Sequence, residues 1–577
     1  RRRREPGAVT ALPGPCRPRA GWILLAALLL PAGRGAAPND LVARGRNGVV
    51  VTQEPHATAV GLAVLEAGGN AVDAAVAVAL TLAVTFPQAG NLGGGGFLVF
   101  RRADGVVASI DFRERAPSAA TADMYLRADG SVDTDKIQFG ATAAGVPGSP
   151  AGLVHALQKF GTKSLPELAA PAIRLAREGF AVDQHLASDL WSQRDDLARF
   201  PSTRKVFFRD GEPLRQGDVL VQRDLAATLE RFAEKGVDGF YGGRTAELIA
   251  AQMQRDGGFV TAGDLAAYAP REREVLRSTY RGHEILSMAP PSSGGVALLQ
   301  MLHMLEGHDL GALGWGGSDY VHLLTEVMRR AYADRSKWLG DPDHHAVPTE
   351  GLVSREYAER LSATIDLQKK SAVAPGVPPG AKESDDTTHF SIVDGAGNAV
   401  SCTTTINSTF GAGVVVDGAG FLLNNEMDDF SAKPGVPNQF GLVGGAANAI
   451  APHKRMLSSM TPTIVVLDGK VRYVLGAPGG GRIITGVLQV LLNLVDHGMP
   501  LERAVRAPRV HHQWLPDEIQ WEPLAVPPDV RRALEAKGHA LARRARGVAQ
   551  VFAIEVLPDG LCIGVADHRS GGAAAAF

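Results

Sequence analysis

The stretch DDTTHFSIVDGAGNAVSCTTTIN, residues 385–407, decides how this chain is read. Two runs rich in β-favouring residues, 388–393 and 399–405, flank Asp394-Gly395-Ala396-Gly397-Asn398, which is turn chemistry, so the segment predicts an antiparallel hairpin. Pairing the strands about a turn centred on Ala396 sets Thr387 opposite Thr405. Directly opposed residues have Cβ atoms about 5 Å apart, close enough for two hydroxyls to interact. Asn407, two residues on, points to the same face. A slip of one residue would move these partners to the other face.

Thr is a favoured strand residue, so the hairpin alone says little about chemistry. Its context says more. The preceding segment AVAPGVPPGAKE, 372–383, is rich in Pro, Gly and Ala and reads as an exposed linker. A threonine that follows a linker and begins a strand can become a chain terminus. Its α-amino group, with a pKa near 8, then places a base beside the hydroxyl it has to activate.

Outward from the hairpin, Ala57–Glu66 and Val72–Val84 predict two helices joined by a tight turn, the second apolar enough to be buried. The run GFLVFRR, 96–102, and the stretch ending at Asp111-Phe112-Arg113 predict a second hairpin around Asp104-Gly105. Residues 150–380 are mostly helical in pattern, including Ala151–Lys159, Asp224–Lys235 and Val321–Trp338. Beyond 407 the pattern predicts a strand over 420–424, a hairpin across Asp468-Gly469 and a helix over Ile483–Val495. Strands with helices outside them imply layered packing.

Of the 577 residues 45% are hydrophobic and 21% charged, which excludes wholesale disorder. A net charge of −2 and the lack of a recognition module argue against nucleic acid as a partner. Arg1–Arg4, the apolar run Trp22–Ala32 and the small residues to Ala37 read as a secretory signal over 1–37, so the expected location is periplasmic or secreted. The 11-residue run is short of the ~20 needed for a stable membrane span. Cys402 and Cys562 make no disulfide framework and read as packed residues. The adjacent pairs His344-His345 and His511-His512 are poorly spaced for one ion, so neither a metal nor another cofactor is expected.

The runs TTHFSIVDGAGNAV, TTTINSTFG, NNEMDDFSAKPGVPN, LSSMTPTIV and APGGGRIITGVLQ resemble γ-glutamyltransferases in order. Upstream, GGNAVDAAVAVALTLAV, GNLGGGGF, DFRERAP, PPSSGGVALLQ and YADRS resemble the large subunit of the same family. The resemblance covers the chain from about residue 40 onward. It implies an α+β fold, a four-layer αββα sandwich of the N-terminal-nucleophile hydrolase type. It also implies autocleavage of the Asp386-Thr387 bond into a large subunit, 38–386, and a catalytic small subunit, 387–577, both in one domain. The implied activity is that of a γ-glutamyltransferase and glutathione hydrolase. Its partners would be glutathione and other γ-glutamyl compounds, with amino acids or dipeptides as acceptors.

Residue by residue, Thr387 matches the nucleophile and Thr405 the residue that holds it. Gly479 and Gly480 match the oxyanion pair, and the glycine run 476–481 before a predicted helix puts backbone N–H groups at a helix start. No Lys-Ser or Lys-Thr follows those glycines, so a phosphate loop is excluded. Arg113 matches the group that grips an α-carboxylate, a task suited to a guanidinium fork, and Ser458 and Ser459 match the hydroxyls that assist it. Glu426 and Asp429 match the acids that bind an α-ammonium, with Asn407 beside them. Phe440 stands where lidded members carry a tyrosine, within a covering loop over 437–452. Glycines 93–96 lack dinucleotide spacing and read as close backbone packing. Two rivals remain: an acylase for glutaryl side chains such as those of cephalosporins on the same scaffold, and an exported binding protein without catalysis.

Overall fold

In the computed structural model the described residues are 40–375, 388–445 and 448–577. The predicted signal segment, most of the linker and the Asp386-Thr387 bond lie outside them, as do residues 446 and 447 of the covering loop. Fourteen strands make two sheets: β1 (Val42–Gly45), β2 (Gly48–Thr52), β3 (Gly95–Arg101), β4 (Val107–Asp111), β5 (Arg271–Arg273), β6 (Leu276–Tyr280), β7 (His283–Ser287), β8 (Thr388–Asp394), β9 (Ala399–Thr405), β10 (Thr463–Leu467), β11 (Lys470–Gly476), β12 (Phe552–Val556), β13 (Cys562–Val565) and β14 (Ala573–Ala576). One sheet runs β1-β13-β12-β11-β10-β7-β6, and the other runs β14-β2-β8-β9-β3-β4-β5. Every pairing within them is antiparallel. Strands from 388 onward therefore interleave with strands from before 376 in both sheets.

The two-residue period of the strands sorts the layers. Val49, Val51, Phe97, Val99 and Val393 face Leu286, Ile464, Val474, Phe552 and Ile554 across the gap between the sheets. The alternate residues Val50, Leu98, Phe100, Phe390, Ile392 and Val400 pack outward against α1 (Pro55–Glu66) and α2 (Ala71–Thr85). On the far side Ile285, Val465, Leu475 and Ala553 pack against α3 (Gly294–Glu306), α4 (Ser318–Trp338) and α5 (Arg482–Val495). Helix, sheet, sheet, helix is the resulting order, an αββα sandwich.

The hairpin of β8 and β9 has the register its turn predicts. Thr388 pairs with Thr404, Phe390 with Cys402 and Val393 with Ala399. Asp394 accounts for the turn. Its Oδ1 accepts from the N–H groups of Ala396 (3.0 Å) and Asn398 (2.9 Å), while Oδ2 accepts from Ala71 N–H at the start of α2 (2.9 Å). That start also carries a capping box between Asn70 and Asp73, so one carboxylate fixes both the turn and its helix. The strand predicted over 420–424 is not formed. Gly411, Gly413, Gly418 and Gly420 all take positive φ and fold the chain into tight turns, and Leu422 makes only an isolated bridge to Val415. Among the described residues no helix is long and apolar enough to cross a membrane. Cys402 and Cys562 are buried free thiols.

Polar groups also line the gap between the sheets. His389 is fully buried there, its ring nitrogens 2.9 Å from Thr403 Oγ1 and 3.0 Å from Ser391 Oγ. Burial pulls its pKa down from 6.5 to about 3. A histidine kept neutral in the folded state lets the unfolded chain take up the proton first as pH falls. Its contribution to stability is therefore present above pH 6.5 and lost toward pH 3, at ~1.4 kcal/mol per pH step. His389→Gln is expected to lose about 2–3 kcal/mol less than wild type between pH 6.5 and 4.5. Parallel losses in denaturant unfolding at the two pH values would contradict this.

Candidate active site

The β3–β4 hairpin, the end of β9, the turn at 424–429 and the segment 456–459 meet at one point. Arg113 sits there with no exposed side-chain surface. Its Nη1 is 2.6 Å from Glu426 Oε2, its Nη2 pairs with Asp429, and Nη1 also lies 3.4 Å from Glu114 Oε2. The remaining donors reach backbone: Nε to Met456 O and Nη2 to Leu457 O, each at 3.2 Å. All the acids in this cluster are buried. Burial pushes the Glu426 carboxyl well above the usual carboxylate range and Glu114 up to about 8, in both cases against the pull of Arg113. Burial works against the Arg113 cation too, but Glu426, Glu114 and Asp429 outweigh it and hold the guanidinium protonated.

Thr405, at the end of β9, is fully buried, and its Oγ1 accepts from Asn407 N–H at 2.7 Å. Asn407 is held at φ +72°, and its Nδ2 donates to Asn425 O (2.9 Å). Asn424 locks the acidic turn: its Oδ1 accepts from Glu426 N–H (3.1 Å) and Gly145 N–H (2.9 Å), and its Nδ2 donates to Gly93 O (2.7 Å). The glycine run 93–96 is close packing, since a Cβ on Gly94 would collide with Thr405 O. Ser458 and Ser459 are buried beside the Arg113 contacts. Ser458 Oγ accepts from Met460 N–H (3.2 Å), and Ser459 Oγ accepts from Arg335 Nη2 (2.8 Å).

Across a cavity of about 520 Å³ stand Asn407, Phe440 and Gly479. Gly479 and Gly480, at φ +132° and +61°, join β11 to α5, and a Cβ on Gly479 would lie 2.9 Å from Ala549 Cα. Only glycine fits that position. The described strand β8 is tied to this cavity through Thr388, whose Oγ1 donates to Gln53 Oε1 (2.6 Å). Gln53 in turn donates to Gln550 Oε1 (2.8 Å), and both glutamines line the cavity.

Arg113, Glu426 and Asp429 are thus in contact, Thr405 and Asn407 adjoin each other, and Gly479 and Phe440 share the open cavity. Sequence reasoning missed Glu114, Gln53 and Gln550. Glu114 follows Arg113 directly, and an acid beside a strand-end arginine was the available signal. The glutamines have none. Among the described residues one group, His322, Glu326 and His539, has ligand atoms within 4.8 Å of one another. Those atoms are engaged: Glu326 pairs with Arg329 and Arg330, and His322 bonds His539 and Asp366 O.

Two facing antiparallel sheets between helical layers, with this hairpin at their centre, define an α+β sandwich of the N-terminal-nucleophile hydrolase type. A family model described as γ-glutamyltranspeptidase matches residues 57–577, and the chain belongs to that family. The glutathione hydrolase proenzyme of Escherichia coli (strain K12) is 49% identical over 532 residues, covering 91% of each chain. A crystal structure of cephalosporin acylase from Bacillus halodurans matches with a TM-score of 0.83 at 28% identity, over 95% of this chain and 99% of that one. The Helicobacter pylori γ-glutamyltranspeptidase structure matches at 42% identity with a TM-score of 0.55, over 60% of this chain and 95% of that one.

Proposed function

We propose that this protein is an exported, self-processing γ-glutamyltransferase and glutathione hydrolase that cuts the Asp386-Thr387 bond and uses Thr387 as its nucleophile. The observation that carries the reading is the buried cluster of Arg113 with Glu426 and Asp429 beside Thr405. A γ-glutamyl group presents an α-carboxylate and an α-ammonium. Arg113, with Ser458 and Ser459 nearby, suits the first, and Glu426 and Asp429, with Asn407, suit the second. The register of β8 on β9, which pairs Thr388 with Thr404, supports the reading.

In the proposed mechanism water is added across the Asp386-Thr387 bond, which frees the Thr387 α-amine. That amine takes the proton from Oγ as Oγ attacks the γ-carbonyl carbon. The backbone amides of Gly479 and Gly480 receive the oxyanion at the start of α5, where such donors contribute about 3 kcal/mol each. Collapse breaks the C–N bond, and the proton passes to the departing amine. With glutathione that amine is cysteinylglycine. Water, an amino acid or a dipeptide then resolves the γ-glutamyl ester. Phe440 lines the cavity with a ring that has no phenol oxygen to bond.

The acylase rival is favoured by the likeness to the cephalosporin acylase structure. Glutaryl side chains lack the ammonium, so Glu426 and Asp429 would stand without a partner from the substrate. Release of p-nitroaniline from γ-glutamyl and glutaryl anilides decides between them. The γ-glutamyl compound is expected to turn over at least tenfold faster, since one unmet charge in a buried site costs at least ~1.4 kcal/mol. Faster glutaryl turnover would reverse the assignment.

A further inference from the structure

The cavity beside Gly479 holds a cation that the mechanism above does not use. Arg482 is the first residue of α5, two residues beyond Gly480, and it lines the cavity. Among the described residues its guanidinium makes no ion pair and no hydrogen bond. Asp189 is the other charged residue of the lining, and its Oδ2 already accepts from Gln88 Nε2 at 3.1 Å. Another cation stands near Arg482. Burial and then Arg482 lower the pKa of Arg546, whose Nε is bonded to Gln520 Oε1 (3.1 Å). Buried His511 also feels Arg482 and is held neutral, first by burial. A half-buried guanidinium that lines an open cavity and has no ion pair or hydrogen bond among the described residues is a site prepared for an anion.

The topography says which anion. Arg113, Glu426, Asp429, Ser458 and Ser459 are sealed from solvent, whereas Gly479 and Arg482 border open space. The glutamyl moiety is assigned to the sealed side. The amine partner, leaving or arriving, must therefore stand in the open cavity.

We propose that Arg482 binds the free carboxylate of the amine partner, so that the enzyme selects amino acids and short peptides with an ionised C-terminus both as leaving groups and as acceptors. This rests on the γ-glutamyl reading of the site and names the residue that recognises its second substrate. Arg482 touches only the partner's carboxylate and takes no part in the bond changes.

The test compares wild type with Arg482→Gln and Arg482→Lys on two pairs of compounds. As donors the pair is glutathione, whose leaving group carries a carboxylate, and γ-glutamyl-p-nitroanilide, whose leaving group has none. As acceptors the pair is glycylglycine and glycylglycinamide. The preference of wild type for the carboxylate member, as a ratio of kcat/KM values, is expected to fall about tenfold in Arg482→Gln, the worth of one charge-assisted bond. The loss should appear in the KM for glycylglycine, and Arg482→Lys should recover part of it as a point charge. Equal losses on both members of each pair would make Arg482 a support for the glycine loop and overturn the proposal, as would an unchanged ratio. Wild type that cleaves the anilide without preferring carboxylate partners would defeat this inference alone. Wild type inert toward the anilide would defeat the γ-glutamyl reading as well.

Discussion

Thr387→Ala is expected to leave a single uncut polypeptide and to lower turnover of γ-glutamyl-p-nitroanilide by about 10⁴-fold or more, the usual scale for removing a nucleophile. Two losses coincide in this variant. The hydroxyl that attacks substrate is gone, and so is the oxygen through which the chain is opened, so no terminal amine appears to serve as base. Wild type is expected to run as two fragments on a denaturing gel, the smaller beginning with Thr387. Thr387→Ser keeps the oxygen and should be cut, though more slowly. N-terminal sequencing of the small fragment reads cut site and nucleophile together. A wild-type protein that stays whole and inert would instead favour the binding-protein rival, and a Thr387→Ala protein that is cut would remove Thr387 from the mechanism.

Arg113→Met is expected to be the most damaging of the binding-site changes, because it strands Glu114, Glu426 and Asp429 together in a buried site. Breaking a buried pair by removing one partner typically costs 3–5 kcal/mol. The pH dependence has a definite sign. The folded-state pKa of Glu114 is raised from 4.5 to about 8, so its contribution is fully present below pH 4.5 and is lost as pH rises through 8. Without the guanidinium the raising is stronger. The deficit of Arg113→Met relative to wild type should therefore be smallest near pH 5 and grow toward pH 8. Arg113→Lys keeps a charge but not the fork that serves three acids and two carbonyls, and should retain the fold better than the activity. Calorimetric melting at both pH values gives the comparison. A deficit of the same size at each would mean that packing, not charge, holds the site.

The hairpin is legible in the sequence because its turn is short, its turn residues are unambiguous and both strands favour β, so the pairing 388–393 with 399–404 follows from counting. The buried helix Ala71–Thr85 is legible for a similar reason, its length and apolar run leaving no exposed face. What counting does not reach is the state of the charges. Residues 113 and 429 lie 316 positions apart, and nothing local says that Arg113 meets the acids in the same contact. Charges matched to two ends of a substrate are, in the folded chain, matched to each other. The segment 420–424 is misread because its apolar residues look like a strand, while the flanking glycines and Asn424 commit it to turns. Arg482 is invisible for the opposite reason: in sequence it is an ordinary helix-start residue, and only the cavity makes it a free cation.

The interleaving of the two sheets bears on the life history of the molecule. Five of the twelve strand junctions, β14–β2, β2–β8, β9–β3, β1–β13 and β7–β10, join residues on opposite sides of position 387. While the chain is whole, all five form within one molecule, at a rate that does not depend on how dilute the protein is. Once it is opened before Thr387, the same five become encounters between two molecules, and the effective concentration supplied by the linker is gone. Protein unfolded before the cut can find its way back alone. After the proposed cut, recovery would become second order and fade on dilution, so the proposed maturation gives up reversibility in return for the free amine of Thr387.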